Sequence, residues 1–129
     1  KQKNNLAETA RQDRFAQSTD VYAVKASNYK GLRRGSPVYC RNNWHIHHAK
    51  NGGGQMIICI AGRGYYQEEG KEAIEMKPGD CINIPAEVKH WHGAAPDSWF
   101  SHLAVEIPGE ETANEWCEAV SDEEYGKLK

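Results

Sequence analysis

The chain has 129 residues, with 16 Lys and Arg against 18 Asp and Glu, for a formal charge of −2. That length supports one domain with a hydrophobic core of its own, since domains run about 100–200 residues. The near-neutral balance removes the electrostatic argument for nucleic-acid binding, and no stretch approaches the roughly 18 consecutive apolar residues of a membrane-spanning helix.

Residues 1–20 form a polar segment in which ETARQDRFAQ predicts a short helix. No positively charged start followed by an apolar run reads as a targeting signal. From Val21 the texture changes, and residues 21–129 read as one domain. Short runs recur between Gly, Pro, Asn and Asp: VYAVKA, SPVYCRNNWHIHH, QMIICIAG, GYYQEE, AIEM, DCINIP, VKHWHG and SHLAVEIP. Many short strands at this spacing predict an all-β sandwich or barrel. The basic KGLRR stretch (Lys30, Arg33, Arg34) reads as a solvated loop.

QMIICIA is continuously apolar, which predicts a strand covered on both faces. Asn51-Gly52-Gly53-Gly54 before it reads as a flexible loop. Gly70-Lys71 predicts a hairpin turn, and Lys77-Pro78-Gly79-Asp80 a turn before CINIP. After Pro108, GEETANEW reads as a linker. SDEEYGKL predicts a last helical turn capped by Ser121.

The four cysteines, Cys40, Cys59, Cys81 and Cys117, form no CxxC pair, which argues against a zinc knuckle or a thioredoxin-like redox motif. Cys59 and Cys81 sit in apolar runs. The expectation is buried reduced thiols, since free Cys behaves as a small hydrophobe, and with it a cytoplasmic protein rather than an exported, disulfide-bonded one.

Six histidines are confined to the stretch from His45 to His102. In WHIHHAK, His45 and His47 are two apart, and on a strand residues i and i+2 point to one face. KHWHG repeats the spacing with His90 and His92. A single HxH says little, because a strand histidine is more often a surface or satisfied core residue. Two HxH pairs on separate short strands point to a metal site, imidazole being the commonest protein metal ligand. Gln55, at the head of the apolar strand, offers an oxygen. His48 points away from its neighbours and reads as a bystander. Trp44 and Trp91 read as outward or packing residues, Tyr65, Tyr66 and Trp99 as candidates for the barrel mouth, and Phe100 as core.

These residues resemble the cupins, whose first motif (HxH, an acidic or amide ligand, then six residues and a Gly) matches His45, His47, Gln55 and Gly62. The second motif (PGD, a Pro, and a His five residues on) matches Pro78-Gly79-Asp80, Pro85 and His90. More narrowly, residues 41–126 resemble small single-domain bacterial cupins related to carboxymuconolactone decarboxylase-associated cupins and to manganese-dependent hydroxynitrile lyases. The chain departs from that subgroup in two respects: residues 25–40 lack the Phe-rich strand usual before the first motif, and seven residues, HAKNGGG, separate His47 from Gln55 where three are usual. A Gly-rich loop absorbs such an insertion at small entropic cost. The insertion bears directly on the position of Gln55, with His48 as the alternative donor.

The resemblance implies an all-β jelly roll, the double-stranded β-helix, paired as a homodimer. It also implies a divalent ion, most simply Mn with Fe, Zn or Ni as alternatives, on His45, His47, Gln55 and His90. The ion would act as a Lewis acid, with His102 or His92 moving a proton. The expected activity is that of a metal-dependent lyase or decarboxylase-like enzyme on a small organic oxygen compound, with cyanohydrin cleavage its sharpest form. A metal-dependent dioxygenase and a non-catalytic small-ligand-binding protein are the alternatives. The expected partners are a small-molecule substrate and a second copy, with no nucleic acid and no membrane.

Overall fold

The computed structural model describes residues 24–30, as backbone, and 40–129. The expected N-terminal polar segment and its helix, and residues 31–34 of the basic stretch, lie outside them. Among the described residues the chain forms β1 (Val24–Lys30), β2 (His45–His48), β3 (Asn51–Gly52), β4 (Gln55–Gly62), β5 (Gly64–Glu68) and β6 (Ile74–Met76). There follow β7 (Cys81–Ile84), β8 (His90–Ala94), β9 (Trp99–Glu106), β10 (Gly109–Glu110), β11 (Ala113–Trp116) and a short helix, α1 (Asp122–Gly126). A four-stranded sheet, in the order β1-β9-β4-β7, faces a five-stranded sheet, in the order β11-β2-β8-β5-β6, and β3 pairs with β10 as a small ribbon. This is the expected jelly roll.

Period-two alternation decides what each strand buries. Between the sheets lie Ile57, Cys59, Tyr66, Met76, Ile84, Ala94, Phe100 and Ala104. A second cluster, Cys40, Tyr65, Trp91, Ala95, Val120 and Tyr125, covers the outer side of the five-stranded sheet. The C-terminal segment therefore closes that face, and β8 is buried along its whole length. α1 begins at Ser121, whose hydroxyl accepts from the Glu124 backbone N–H, as expected of an N-cap. The Tyr125 hydroxyl donates to the Ala94 carbonyl at 2.7 Å, and the Trp91 indole donates to Gln67 Oε1 at 2.8 Å.

Both predicted turns form: the Lys71 N–H donates to the Glu68 carbonyl and the Asp80 N–H to the Lys77 carbonyl. Four expectations change. β4 alternates instead of burying both faces: Gln55, Ile57 and Cys59 point inward, while Ile60 is 52% exposed on the other side. The glycine-rich loop is partly paired, Gly52 lying opposite Gly109 and Asn51 opposite Glu110. The segment read as a linker contains β10 and β11, and β11 runs antiparallel to β2. Of the four cysteines, all free, only Cys40 and Cys59 are buried; Cys81 is exposed because it alternates outward on β7.

Candidate metal centre

The two HxH motifs lie on neighbouring antiparallel strands, His45 of β2 directly opposite His90 of β8. Alternation then sends His45, His47, His90 and His92 inward, each no more than 6% exposed. The His45 ring centre lies 4.2 Å from that of His90 and 5.2 Å from that of His47. One ring nitrogen from each of His45, His47 and His90 lies within 4.8 Å of the other two.

The far side of each ring is anchored. His45 Nδ1 meets the Asn43 carbonyl and His90 Nδ1 the Val88 carbonyl, each at 2.8 Å. A carbonyl only accepts, so both rings carry their proton on Nδ1 and keep the Nε2 lone pair for the interior. His47 Nδ1 meets Asn114 Oδ1 at 2.7 Å. Nε2 of His47 and of His90 is buried with no hydrogen-bond partner, as is Gln55 Oε1. Three orphaned acceptor atoms in one interior are costly unless something electrophilic meets them. Neutral imidazoles with Nδ1 pinned and Nε2 open, beside an amide oxygen, form a donor set suited to a divalent transition metal. Burial, then the charge of neighbouring His90, pushes His45 down to about 3. Burial likewise takes His90 down to about 4. Both rings are therefore neutral at ordinary pH, the form a metal requires.

Gln55 opens β4, opposite Ile84 and Glu106. Its Nε2 donates to Glu106 Oε1 at 3.4 Å, which leaves Oε1 for the interior. The long spacer before it is taken up by the β3–β10 ribbon and by left-handed backbone at Gly52, Gly53 and Gly54. Gly54 is required: a Cβ there would lie 2.3 Å from the Ile84 carbonyl oxygen. His48 points outside, where its two nitrogens meet Glu87 at 2.5 Å and Glu115 at 2.6 Å. It does not substitute for Gln55.

Beyond the triad, His92 and His102 meet edge to face with ring centres 4.7 Å apart. His102, 1% exposed, stacks on Phe100 at 4.8 Å. Burial, then the charge of neighbouring His102, keeps His92 well below its ordinary value.

The aromatic expectations divide. Phe100 is core, and Trp44 packs against the outer cluster with Trp91. Tyr65 joins that outer cluster too, and Trp99 is 57% exposed, so neither lines the interior near the triad. Tyr66 is a wall residue whose ring lies 5.7 Å from that of His90, its hydroxyl donating to Glu68. Sequence reasoning missed Asn42, Glu106 and Asn114. Trp116, 65% exposed, lies 4.9 Å from the His45 ring on the same face as Asn114.

The Cupin domain model matches residues 38–105, more than half of the chain. An (R)-mandelonitrile lyase from Granulicella tundricola is 41% identical over 85 residues, 66% of this chain and 62% of that protein's length. Among solved structures, a cupin-like protein from Thermotoga maritima has a TM-score of 0.66 at 38% identity, over 83% of this chain and 72% of that one. A DMSP lyase from Ruegeria pomeroyi has a TM-score of 0.59 at 20% identity, over 80% of this chain and 46% of its own, and so shares the fold.

Proposed function

The chain belongs to the cupin domain family, and from that premise we propose that it is a metal-dependent lyase acting on a small organic oxygen compound, in its sharpest form a cyanohydrin such as mandelonitrile. The observation that carries this reading is the triad of buried imidazoles whose outer nitrogens are anchored and whose inner nitrogens converge. Support for the reaction class comes from the similarity to the mandelonitrile lyase.

His45, His47, His90 and Gln55 would hold a divalent ion, with Mn the first candidate and Fe, Zn and Ni the others. When bound, such an ion supplies Lewis acidity toward a hydroxyl or carbonyl oxygen. The remaining work belongs to the chain. The His102 imidazole takes the proton of the substrate hydroxyl. As C=O forms, the C–C bond to the nitrile breaks and its electron pair leaves on cyanide. The proton then passes from the His102 imidazolium to cyanide, giving an aldehyde and hydrogen cyanide. Phe100, stacked on His102, fixes that ring's plane.

The second copy is part of the proposal. Met56 and Ile58 of β4 lie opposite Val105 and Leu103 of β9, on the outer side of the four-stranded sheet beside exposed Ile60. This charge-free apolar strip suits a self-complementary, two-fold contact.

The test is elemental analysis of the purified protein, then assay of cyanohydrins, lactones and oxo-acids after loading with each candidate metal. The expected result is aldehyde and cyanide release that His102→Ala abolishes while metal content holds. Turnover only with Fe or Mn and only with O2 would replace this reading with a dioxygenase. Ligand binding without turnover under any metal would replace it with a binding protein.

A further inference from the structure

Asn42 and His92 meet through three contacts. The Asn42 N–H donates to the His92 carbonyl at 3.1 Å. The His92 backbone N–H donates to Asn42 Oδ1 at 2.9 Å. Asn42 Nδ2 lies 3.1 Å from His92 Nε2. The second contact settles the third. A backbone N–H only donates, so the amide atom facing it must be the oxygen. The other amide atom is then the NH2 group, which has no lone pair to offer. His92 Nε2 must therefore be the acceptor, and a neutral ring has one proton, left for Nδ1. A proton on Nε2 would set donor against donor in a buried pair, a costly arrangement.

We infer that Asn42 is a positioning residue that locks His92 in the Nδ1–H tautomer, so that the ring enters the interior as a hydrogen-bond donor and not as a metal ligand or base. His92 Nδ1 is fully buried, and the ring lies between those of His45, at 5.6 Å, and His102, at 4.7 Å. Neither nitrogen then has a lone pair to spare: Nε2 is spent on Asn42, and Nδ1 carries the proton. One consequence rests on the lyase reading above: of the two candidate acid–base histidines, His102 accepts the substrate proton, and His92 donates.

The backbone is built to hold this clamp. Residues 40–42 run beside the end of β8, the Ala94 N–H donating to the Cys40 carbonyl at 2.7 Å and Arg41 bridging to Gly93. Gly93 permits the approach: a Cβ there would stand 2.5 Å from the Cys40 oxygen and 2.6 Å from the Arg41 Cβ. On the other side the Arg41 guanidinium donates to the Val120 carbonyl at 2.9 Å and to Asp122 at 2.8 Å, and covers the Tyr125 ring. Asn42 is thus gripped between β8 and the C-terminal segment.

The test is nitrogen NMR of the histidine rings in the 129-residue chain, metal-free and loaded with diamagnetic zinc, with the His92 signals assigned by their absence in His92→Gln. The expected result is a pyrrole-type Nδ1 and a pyridine-type Nε2. Asn42→Asp, whose carboxylate only accepts, should exchange the two or protonate the ring, and Asn42→Ala should yield a tautomer mixture. A pyrrole-type Nε2 in the unmodified chain, or an unchanged spectrum in Asn42→Asp, overturns the inference. In the Mn-loaded protein Asn42→Asp should lower kcat about a hundredfold, the low end for a positioned acid–base group, with metal content and KM little changed. If the spectra agree while no cyanohydrin is turned over by any metal form, the lyase reading fails and the tautomer lock stands.

Discussion

Asn114→Ala removes the only side-chain partner of His47 Nδ1 at hydrogen-bond distance among the described residues, a contact of 2.7 Å from an edge strand. The loss should appear as weaker metal binding, because a ligating imidazole is oriented by its second nitrogen, and deletion of such a partner costs about 10–100-fold in affinity. Two features of the site place the effect at the lower end. A neutral hydrogen bond contributes about 0.5–1.5 kcal/mol net, and tenfold in affinity is about 1.4 kcal/mol. Glu106 Oε2 also stands 3.8 Å from the same nitrogen and offers a fallback acceptor. The expectation is therefore a loss of about tenfold in Mn or Zn affinity, measured by competition against a chelator of known affinity. The double variant Asn114→Ala with Glu106→Gln should lose more than either single change, since the fallback goes with it. Asn114→Asp, which keeps the acceptor and adds charge, should bind as tightly as the unmodified chain or tighter. Affinity within twofold for Asn114→Ala, with the double variant no weaker, would refute the argument that β11 tunes the site.

Three further outcomes can be checked. Phe100→Ala empties a fully buried position between the sheets, and should lower unfolding free energy by about 3–5 kcal/mol in urea denaturation; a loss below about 1 kcal/mol would mean that this core collapses to fill the space. Hydrogen bonds to Glu115 and then Glu87 raise His48 above its ordinary value, so its contribution is complete below the unfolded value of about 6.5 and is lost as pH rises through the folded one. The stability gap between the unmodified chain and His48→Ala, measured metal-free, should accordingly shrink with rising pH, and a gap that widens would contradict the ion pairs. Ile60→Asp puts a charge on the apolar strip proposed as the two-fold contact, and light scattering should show a dimer for the unmodified chain and a monomer for the variant; an equal mass for the two would refute that contact.

What the sequence reveals of this site follows strand parity, and what it hides departs from it. His45 and His47, then His90 and His92, announce their shared face by spacing alone, because regular strands hold them. β11 gives no such signal. All four of its side chains are exposed, so no hydrophobic alternation marks it, and a polar ANEW reads like a connection. Only its pairing with β2, which sets Asn114 opposite His47 and Trp116 opposite His45, makes it part of the site. QMIICIA misleads in the opposite direction: the run is apolar throughout, yet only one of its faces is buried within the chain. Its outward residues form the strip proposed as the contact with a second copy.

Asn42 is hidden for a different reason. Counting by twos from His45 assigns the inner face to residue 43, but the chain at 42–44 is not a regular strand, and the alternation breaks there. It breaks because Arg41 is tied to the C-terminal segment through the Val120 carbonyl and Asp122, while the Trp44 N–H donates to the Glu118 carbonyl. The same C-terminal residues that seal the outer sheet thus turn Asn42 onto His92. The five inward histidines therefore owe their proposed division of labour to residues that carry no metal-site signature. Backbone carbonyls turn Nε2 of His45 and His90 inward, toward the proposed ion, and Asn114 does the same for His47. One asparagine amide takes the corresponding nitrogen of His92 out of reach. In the proposed assignment, identical side chains at identical spacing serve as ligand or donor according to what stands behind the ring, which is why HxH spacing finds the site but does not assign its roles.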